Sequence, residues 1–352
     1  MKTIAVICDY VLRPDRIGGM DRFYVEYDRR AKELGYEVHW YFSSYTPFNF
    51  FEGLTIFSAK GDAVESFFLE KNIKNKYEIL VTHFTALCTS FYKHAKKMGV
   101  DKIIAVDHNP RPLEGFPLSK RVKNKIKGVM YSRYIDQFVG VSKYTKKHIL
   151  KDYGFYLNDK TIVIYNGIDS SVYEKRTQPN KNKFIVTSHL RFSKGIQDLL
   201  QAVSILPDNL KNRIEIDIFG EGPYENELKE QCAKLNLTKL IHFKGSTSHL
   251  NQLFTNYSYM LQPTYMECFS LSILESLAAN VPVVTTTVGG NLEVITHAKN
   301  GFIFETGNVI ALSAILKRII LGTLKIATAT NTLIEEQYNL DTMVENHLSY
   351  IK

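Results

Sequence analysis

Short apolar runs alternate along this chain with longer stretches whose apolar residues recur at helical spacing. The first half predicts strands over 3–8, 37–41, 79–83, 103–107, 137–141 and 161–164, with helices between them, such as 21–34 ending at Gly35. A second series predicts strands over 184–188, 215–219, 239–243, 259–262, 281–285 and 301–304. Alternating strands and helices argue for parallel, doubly wound sheets, so the fold class is α/β with two such domains. The stretch 173–183, rich in Lys, Arg, Gln, Pro and Asn, reads as the linker. A last helix is expected around 340–351, after the second series is complete.

In open parallel sheets, ligands gather outside the carboxyl ends of the strands, and the notable polar residues fall at such ends. After the strand ending at Gln262, Leu271, Leu274, Leu277 and Ala278 recur at helical spacing. A helix start presents free backbone N–H groups to phosphate, here those of Phe269, Ser270 and Leu271. Glu267 lies in the loop before this helix and Glu275 is expected two turns inside it. The two carboxylates can then grip hydroxyls on either side of a diphosphate, which describes a nucleotide sugar. In the first half, Gly18-Gly19 opens a helix and reads either as a flexible turn or as a close backbone approach to a ligand. His108 follows the strand 103–107 and His83 ends its neighbour. Ser142 reads as a helix cap, and the segment from Asn166 to Asp169 as a turn. Gly220-Glu221-Gly222 begins like a dinucleotide fingerprint, but Glu225 stands where the third glycine belongs.

The run from Pro263 to Glu267, continued through Glu275, Pro282, Gly289-Gly290-Asn291 and Asn300-Gly301-Phe302, resembles the signature of the family 4 (group 1) retaining glycosyltransferases. The resemblance covers the C-terminal half closely and the N-terminal half more loosely. It implies the GT-B arrangement, two Rossmann-like domains facing a cleft. Residues 1–175 would be the acceptor-side domain, with the helix 340–352 packing back on it, and 180–339 the nucleotide-sugar domain. It implies sugar transfer from a nucleotide diphosphate donor to a hydroxyl acceptor with retention of configuration. Bacterial surface polysaccharide or glycolipid synthesis is the expected setting. On this pattern Glu267, His108 and Lys194 serve catalysis. Gly18, Gly19, His189, Arg191, Lys194, the Phe269–Ser270–Leu271 amides and Glu275 bind the donor. The family's arginine position is occupied by His189, and Arg191 stands two places on. No metal or cofactor is expected, because cationic side chains and a helix dipole can stabilise the leaving diphosphate. Two other readings are a sugar-nucleotide epimerase or phosphorylase on the same fold, and a non-catalytic partner subunit, which His189 alone favours.

The 352 residues suffice for two domains, and no apolar run approaches the roughly 18 residues a membrane span needs. The four cysteines are far apart without metal or redox spacing, so a cytoplasmic, disulfide-free protein is expected. The net charge of +8 is a balance of +9 in residues 1–160 and −1 in the remainder. Such asymmetry points to an anionic partner for the first half. Lys120, Arg121, Lys123, Lys125, Lys127 and Arg133 form a basic run with no acidic residue between Glu114 and Asp136. Val122, Ile126, Val129 and Met130 recur within it at helical spacing. Two readings stand: peripheral binding to an anionic membrane surface, or an exposed helix packed by its apolar stripe. Nucleic acid is disfavoured because no reader motif accompanies the charge. The acceptor is expected to be a glycan or a lipid-linked glycan.

Overall fold

The computed structural model describes residues 2–15, 17–72, 76–178 and 182–352; positions 179–181 of the expected linker lie outside the described residues. The chain divides into two compact units, Met1–Asn166 with Leu340–Lys352, and Gly167–Asn339. The first unit holds a seven-stranded sheet of β1 (Lys2–Leu12), β2 (Tyr36–Tyr45), β3 (Thr55–Ser58), β4 (Ile79–His83), β5 (Lys102–Asp107), β6 (Gln137–Gly140) and β7 (Thr161–Val163). The second holds a six-stranded sheet of β8 (Lys183–Thr187), β9 (Glu215–Phe219), β10 (Ile241–Gly245), β11 (Tyr259–Gln262), β12 (Val283–Thr286) and β13 (Gly301–Phe304).

The spatial orders are β3-β2-β1-β4-β5-β6-β7 and β10-β9-β8-β11-β12-β13, and every pair is parallel. These are two doubly wound, Rossmann-like sheets. Strand order reverses beside β1 in one and beside β8 in the other, the switch points where such folds bind ligands. The central strands are buried on both faces, which is why Ile4–Cys8 of β1 and all of β4 and β11 read as continuous buried runs. β3 is an addition to the predicted strands. It is a four-residue edge strand, half-buried or exposed throughout, so its sequence carries little apolar signal.

The change of unit falls between Asn166 and Gly167, ahead of the stretch 173–183 expected to link the domains. Ile168 N–H donates to the Tyr338 carbonyl at 2.9 Å, and a Cβ on Gly167 would stand 2.1 Å from the Asn339 carbonyl oxygen. Arg176 donates from its backbone to the Ala279 carbonyl (2.9 Å) and from its guanidinium to that of Ser258 (2.7 Å). Those bonds fasten the segment to the second unit. The terminal helix Leu340–Ser349 belongs to the first unit, where Asp341 pairs with Arg30 and the Tyr36 hydroxyl donates to the Ile351 carbonyl at 2.9 Å.

All four cysteines are buried and free. Among the described residues no helix is long and apolar enough to cross a membrane.

Candidate active site

In the second unit three loops converge at the carboxyl ends of β8, β11 and β12. The β8 loop turns through the short 3-10 helix Phe192–Lys194 to Gly195, whose φ of +70° opens the helix Ile196–Ser204. It is stitched to the β11 loop: Tyr265 N–H and the Thr264 hydroxyl both donate to the Ser193 carbonyl, at 2.8 and 3.1 Å. A Cβ on Gly195 would lie 1.8 Å from the Pro263 carbonyl oxygen, so only glycine allows this approach. Gly289, φ +64°, does the same for the β12 loop, where a Cβ would fall 1.8 Å from the Glu267 carbonyl oxygen.

This stitching brings Lys194 to Glu267. Their side chains form an ion pair of 2.9 Å across 73 positions of sequence. The second Glu267 oxygen accepts from the Cys268 N–H at 3.2 Å. Burial works against the Lys194 ammonium, but the charge and hydrogen bond of Glu267 outweigh it and hold the pKa above the ordinary lysine value. Arg191 is exposed, and its charge is near enough to oppose that of Lys194. His189 and Arg191 flank the fully buried Leu190.

The helix Leu271–Ala278 starts directly behind Glu267. Ser270 is its cap: the Ser270 hydroxyl accepts from Ile273 N–H at 3.3 Å and from Gln262 Nε2 at 2.6 Å. Glu275 is the fifth residue of this eight-residue helix and is buried. It therefore sits little more than one turn inside, not two, because the loop takes up Phe269 and Ser270. Beside Lys194 stands an aromatic wall absent from the sequence expectations. Phe192, 60% exposed, stacks on Tyr265, whose hydroxyl donates to Asp198 at 2.5 Å.

Other predicted residues have structural employment. Gly220 and Gly222 pack against the β8 loop, where Cβ atoms would approach the carbonyl oxygens of Ser188 and Leu190 to 1.9 and 2.3 Å. They shape that loop through backbone contact. The Asn291 amide donates to the Thr285 hydroxyl at 3.0 Å and so anchors the turn after β12. Ser142 caps its helix by accepting from Thr145 N–H.

In the first unit, Gly18 precedes the helix Gly19–Glu33, but its N–H donates to the Asp21 carboxylate at 2.8 Å. That amide is engaged within the chain, and neither Gly18 nor Gly19 has a positive φ. The pair is a helix start rather than an open backbone cradle. His108 and His83 meet at 2.9 Å, and both are buried. A third buried histidine, His347, comes from the terminal helix, its ring 5.8 Å from that of His83. Burial pushes His83 well below the ordinary value and both His108 and His347 down to about 3. The cluster is therefore neutral at physiological pH. Phe84, a bulky residue at φ +62°, stacks on His108 with ring centroids 4.1 Å apart. Arg111 was not singled out by its sequence context. It is buried, donating to Asp107 at 2.7 Å and Asp152 at 2.8 Å, and it braces the loop that carries His108.

Among the described residues one group could hold a metal ion, Glu215, Asp217 and His242. It lies at the starts of β9 and β10, the edge opposite the site, and Lys183 already pairs with both carboxylates at 3.1 and 3.4 Å.

Residues 17–172 match the profile of Glycosyltransferase Family 4, and residues 170–334 that of Glycosyl transferases group 1. The chain belongs to the group 1 glycosyltransferases. It is 31% identical over 161 residues to the N-acetyl-alpha-D-glucosaminyl L-malate synthase of Bacillus anthracis, covering 41% of this chain and 40% of that one. It is 27% identical over 237 residues to a phosphatidylinositol N-acetylglucosaminyltransferase subunit of Arabidopsis thaliana, covering 64% of this chain and 51% of the relative. The chain spans about half the length of the curated relatives it matches. Its fold is that of Anabaena HepE in a complex with UDP and glucose, with a TM-score of 0.79 and 17% identity over 99% of this chain and 98% of that one. The two parallel sheets are thus those of a GT-B glycosyltransferase.

Proposed function

We propose that this protein transfers a sugar from a nucleoside diphosphate donor to a hydroxyl acceptor with retention of the anomeric configuration. The observation that carries the reading is the Lys194–Glu267 ion pair at the head of the helix Leu271–Ala278, on the carboxyl edge of a switch-point sheet. A diphosphate arriving there meets an ammonium and the positive end of a helix dipole. As the leaving group departs, charge concentrates on its β-phosphate, and Lys194 and the first-turn amides stabilise it there. Arg191 adds the guanidinium that His189 does not supply. Glu267, paired with Lys194 before ligand binds, holds donor-sugar hydroxyls and eases positive charge at the anomeric carbon. Glu275 accepts from the ribose. His108, neutral, contacts sugar hydroxyls on the acceptor side. No metal takes part in this scheme, since fixed cations supply the electrostatic role.

A nucleotide-sugar donor is supported by the neighbour solved with UDP and glucose. A lipid-linked acceptor in glycolipid synthesis is supported by the relative named for phosphatidylinositol. The test is a panel of nucleoside diphosphate sugars screened for thermal stabilisation, since a ligand bound only by the folded state raises its stability. The stabilising sugar is then offered with acceptor alcohols and the product anomer read by NMR. One donor should stabilise and yield a retained product. An inverted product would reject the retaining scheme, and epimerisation of the donor without acceptor, or cleavage of a glucan by phosphate to a sugar phosphate, would favour the epimerase or phosphorylase reading.

A further inference from the structure

The helix Leu118–Tyr131 of the first unit is turned the wrong way round for a helix that packs by its apolar stripe. Its buried residues are Asn124 and Gly128. Leu118, Val122, Ile126 and Val129 are 71%, 50%, 54% and 71% exposed. At 100° per residue these four cluster within about 80° of one another, roughly 140° round the helix from Asn124 and Gly128. Gly128 explains how the helix is held without them. A Cβ there would meet the Tyr153 carbonyl oxygen at 2.2 Å, so the two helices touch backbone to backbone. The reading of a helix packed by its apolar stripe is thereby corrected: the stripe faces solvent.

The stripe has basic borders. Arg121 and Lys125 lie along one side and Lys123 along the other, all exposed. Lys120 extends over the Phe116 ring at 3.9 Å and Lys125 over the exposed Phe155 ring at 5.5 Å. Their stems cover apolar surface while their charges remain in water. No acidic residue occurs between Glu114 and Asp136.

We propose that this face is a docking surface for an anionic lipid bilayer, with Leu118, Val122, Ile126, Val129 and Phe155 entering the headgroup–acyl boundary. Burying an aliphatic stripe relieves an exposed patch that a monomer otherwise leaves in water. The uniform positive border matches phosphate headgroups. A protein partner or a second copy would have to bring a concentrated acidic rim, and a second copy of this same face would set like charges against each other. The surface is independent of the transfer chemistry, so its test needs neither donor nor acceptor.

The experiment is flotation of the full chain with vesicles of phosphatidylcholine and phosphatidylglycerol in equal parts, against pure phosphatidylcholine. Wild type should float with the mixed vesicles at low salt and stay behind with the neutral ones. The triple substitution Arg121→Gln, Lys123→Gln, Lys125→Gln should weaken partitioning on the order of a hundredfold, since each cation near the surface contributes about 1 kcal/mol. Raising the salt should weaken wild type in the same way. The pair Val122→Gln, Val129→Gln should also weaken binding with the charges intact, which separates insertion from plain electrostatic attraction. A Val122→Trp substitution should show a blue-shifted emission on mixed vesicles, read against the one native tryptophan, the buried Trp40. Absence of wild-type flotation at low salt, or equal flotation of all variants, overturns the proposal. So does a wild-type dimer by sedimentation that Val122→Gln, Val129→Gln dissociates, because the face is then an interface between copies. Circular dichroism of each variant should match wild type, as every substituted side chain is exposed.

Discussion

The strand ends of the two units share one topology and opposite electrostatics. At the second unit's edge, burial is overcome by an opposite charge, so Lys194 stays an ammonium against Glu267. At the first unit's edge burial prevails, with neighbouring imidazoles adding to it at His83 and His108, so His83, His108 and His347 stay neutral. The cause that disfavours charge is the same in both places; the neighbour decides the outcome. One edge keeps a charged pair, whereas the other holds neutral imidazoles stacked on an aromatic face. The first unit keeps its own ion pairs one layer back, where Arg111 joins Asp107 and Asp152.

The largest expected effect tests whether that buried brace is structural. Arg111→Ala leaves two buried carboxylates without their cation, which costs about 3–5 kcal/mol. Urea unfolding of the intact chain should show the loss, with donor binding retained below the new transition. A change under 1 kcal/mol would show that Asp107 and Asp152 find other partners. Lys194→Ala acts the other way round. It should cost about 2–4 kcal/mol of transition-state stabilisation, read from kcat/KM, with a smaller effect on folding. Glu275→Ala should weaken nucleotide binding more than turnover, and Glu267→Ala should do the reverse. Wild-type kinetics in Lys194→Ala or Glu275→Ala would remove that residue from the site.

The histidine cluster gives the comparison a pH signature. His108 and His347 are pushed down to about 3 in the folded chain, whereas an unfolded histidine titrates near 6.5. Above that value neither state binds the proton and the stability is fully present. Below it the unfolded chain takes up protons that the folded one refuses, so stability falls with pH until about pH 3. Each such histidine contributes about 1.4 kcal/mol per pH unit. His347→Gln should reduce the slope of unfolding free energy between about pH 4 and pH 6 by that amount. An unchanged slope would mean that His347 takes up its proton without unfolding.

Much of this architecture is legible in the sequence because parallel strands buried on both faces leave uninterrupted apolar runs. β4, β9, β11 and β13 have the predicted bounds, whereas the edge strand β3 leaves no such run. The loop holding Glu267 and the helix holding Glu275 could be placed from local spacing. What spacing cannot carry is partnership across the chain. The Lys194–Glu267 bond spans 73 positions, the Arg111–Asp152 bond spans 41, and His347 reaches His83 from the far end of the sequence. Nor can periodicity say which way a stripe faces. The pattern of Val122, Ile126 and Val129 is the same whether those residues look inward or out, and it is the backbone contact at Gly128 that turns them outward.

The smallest expected effect concerns the charge count at the second edge. His189 holds the position where the resembled family has arginine, and Arg191 is exposed two residues on, close enough for its charge to oppose that of Lys194. A guanidinium there is an asset only when a polyanion is bound; in the free protein it repels Lys194. Arg191→Ala should therefore leave folding unchanged and weaken binding of the nucleoside diphosphate by less than Lys194→Ala does. Removing one charge-assisted hydrogen bond near the surface costs roughly 1–2 kcal/mol. Calorimetric titration with the diphosphate decides it, run with excess EDTA to keep divalent ions out. If Arg191→Ala binds as wild type, His189 and the helix amides carry that end of the diphosphate. If EDTA alone abolishes binding and a divalent ion restores it, the fixed cations are insufficient and the contrast between the two edges must include a metal.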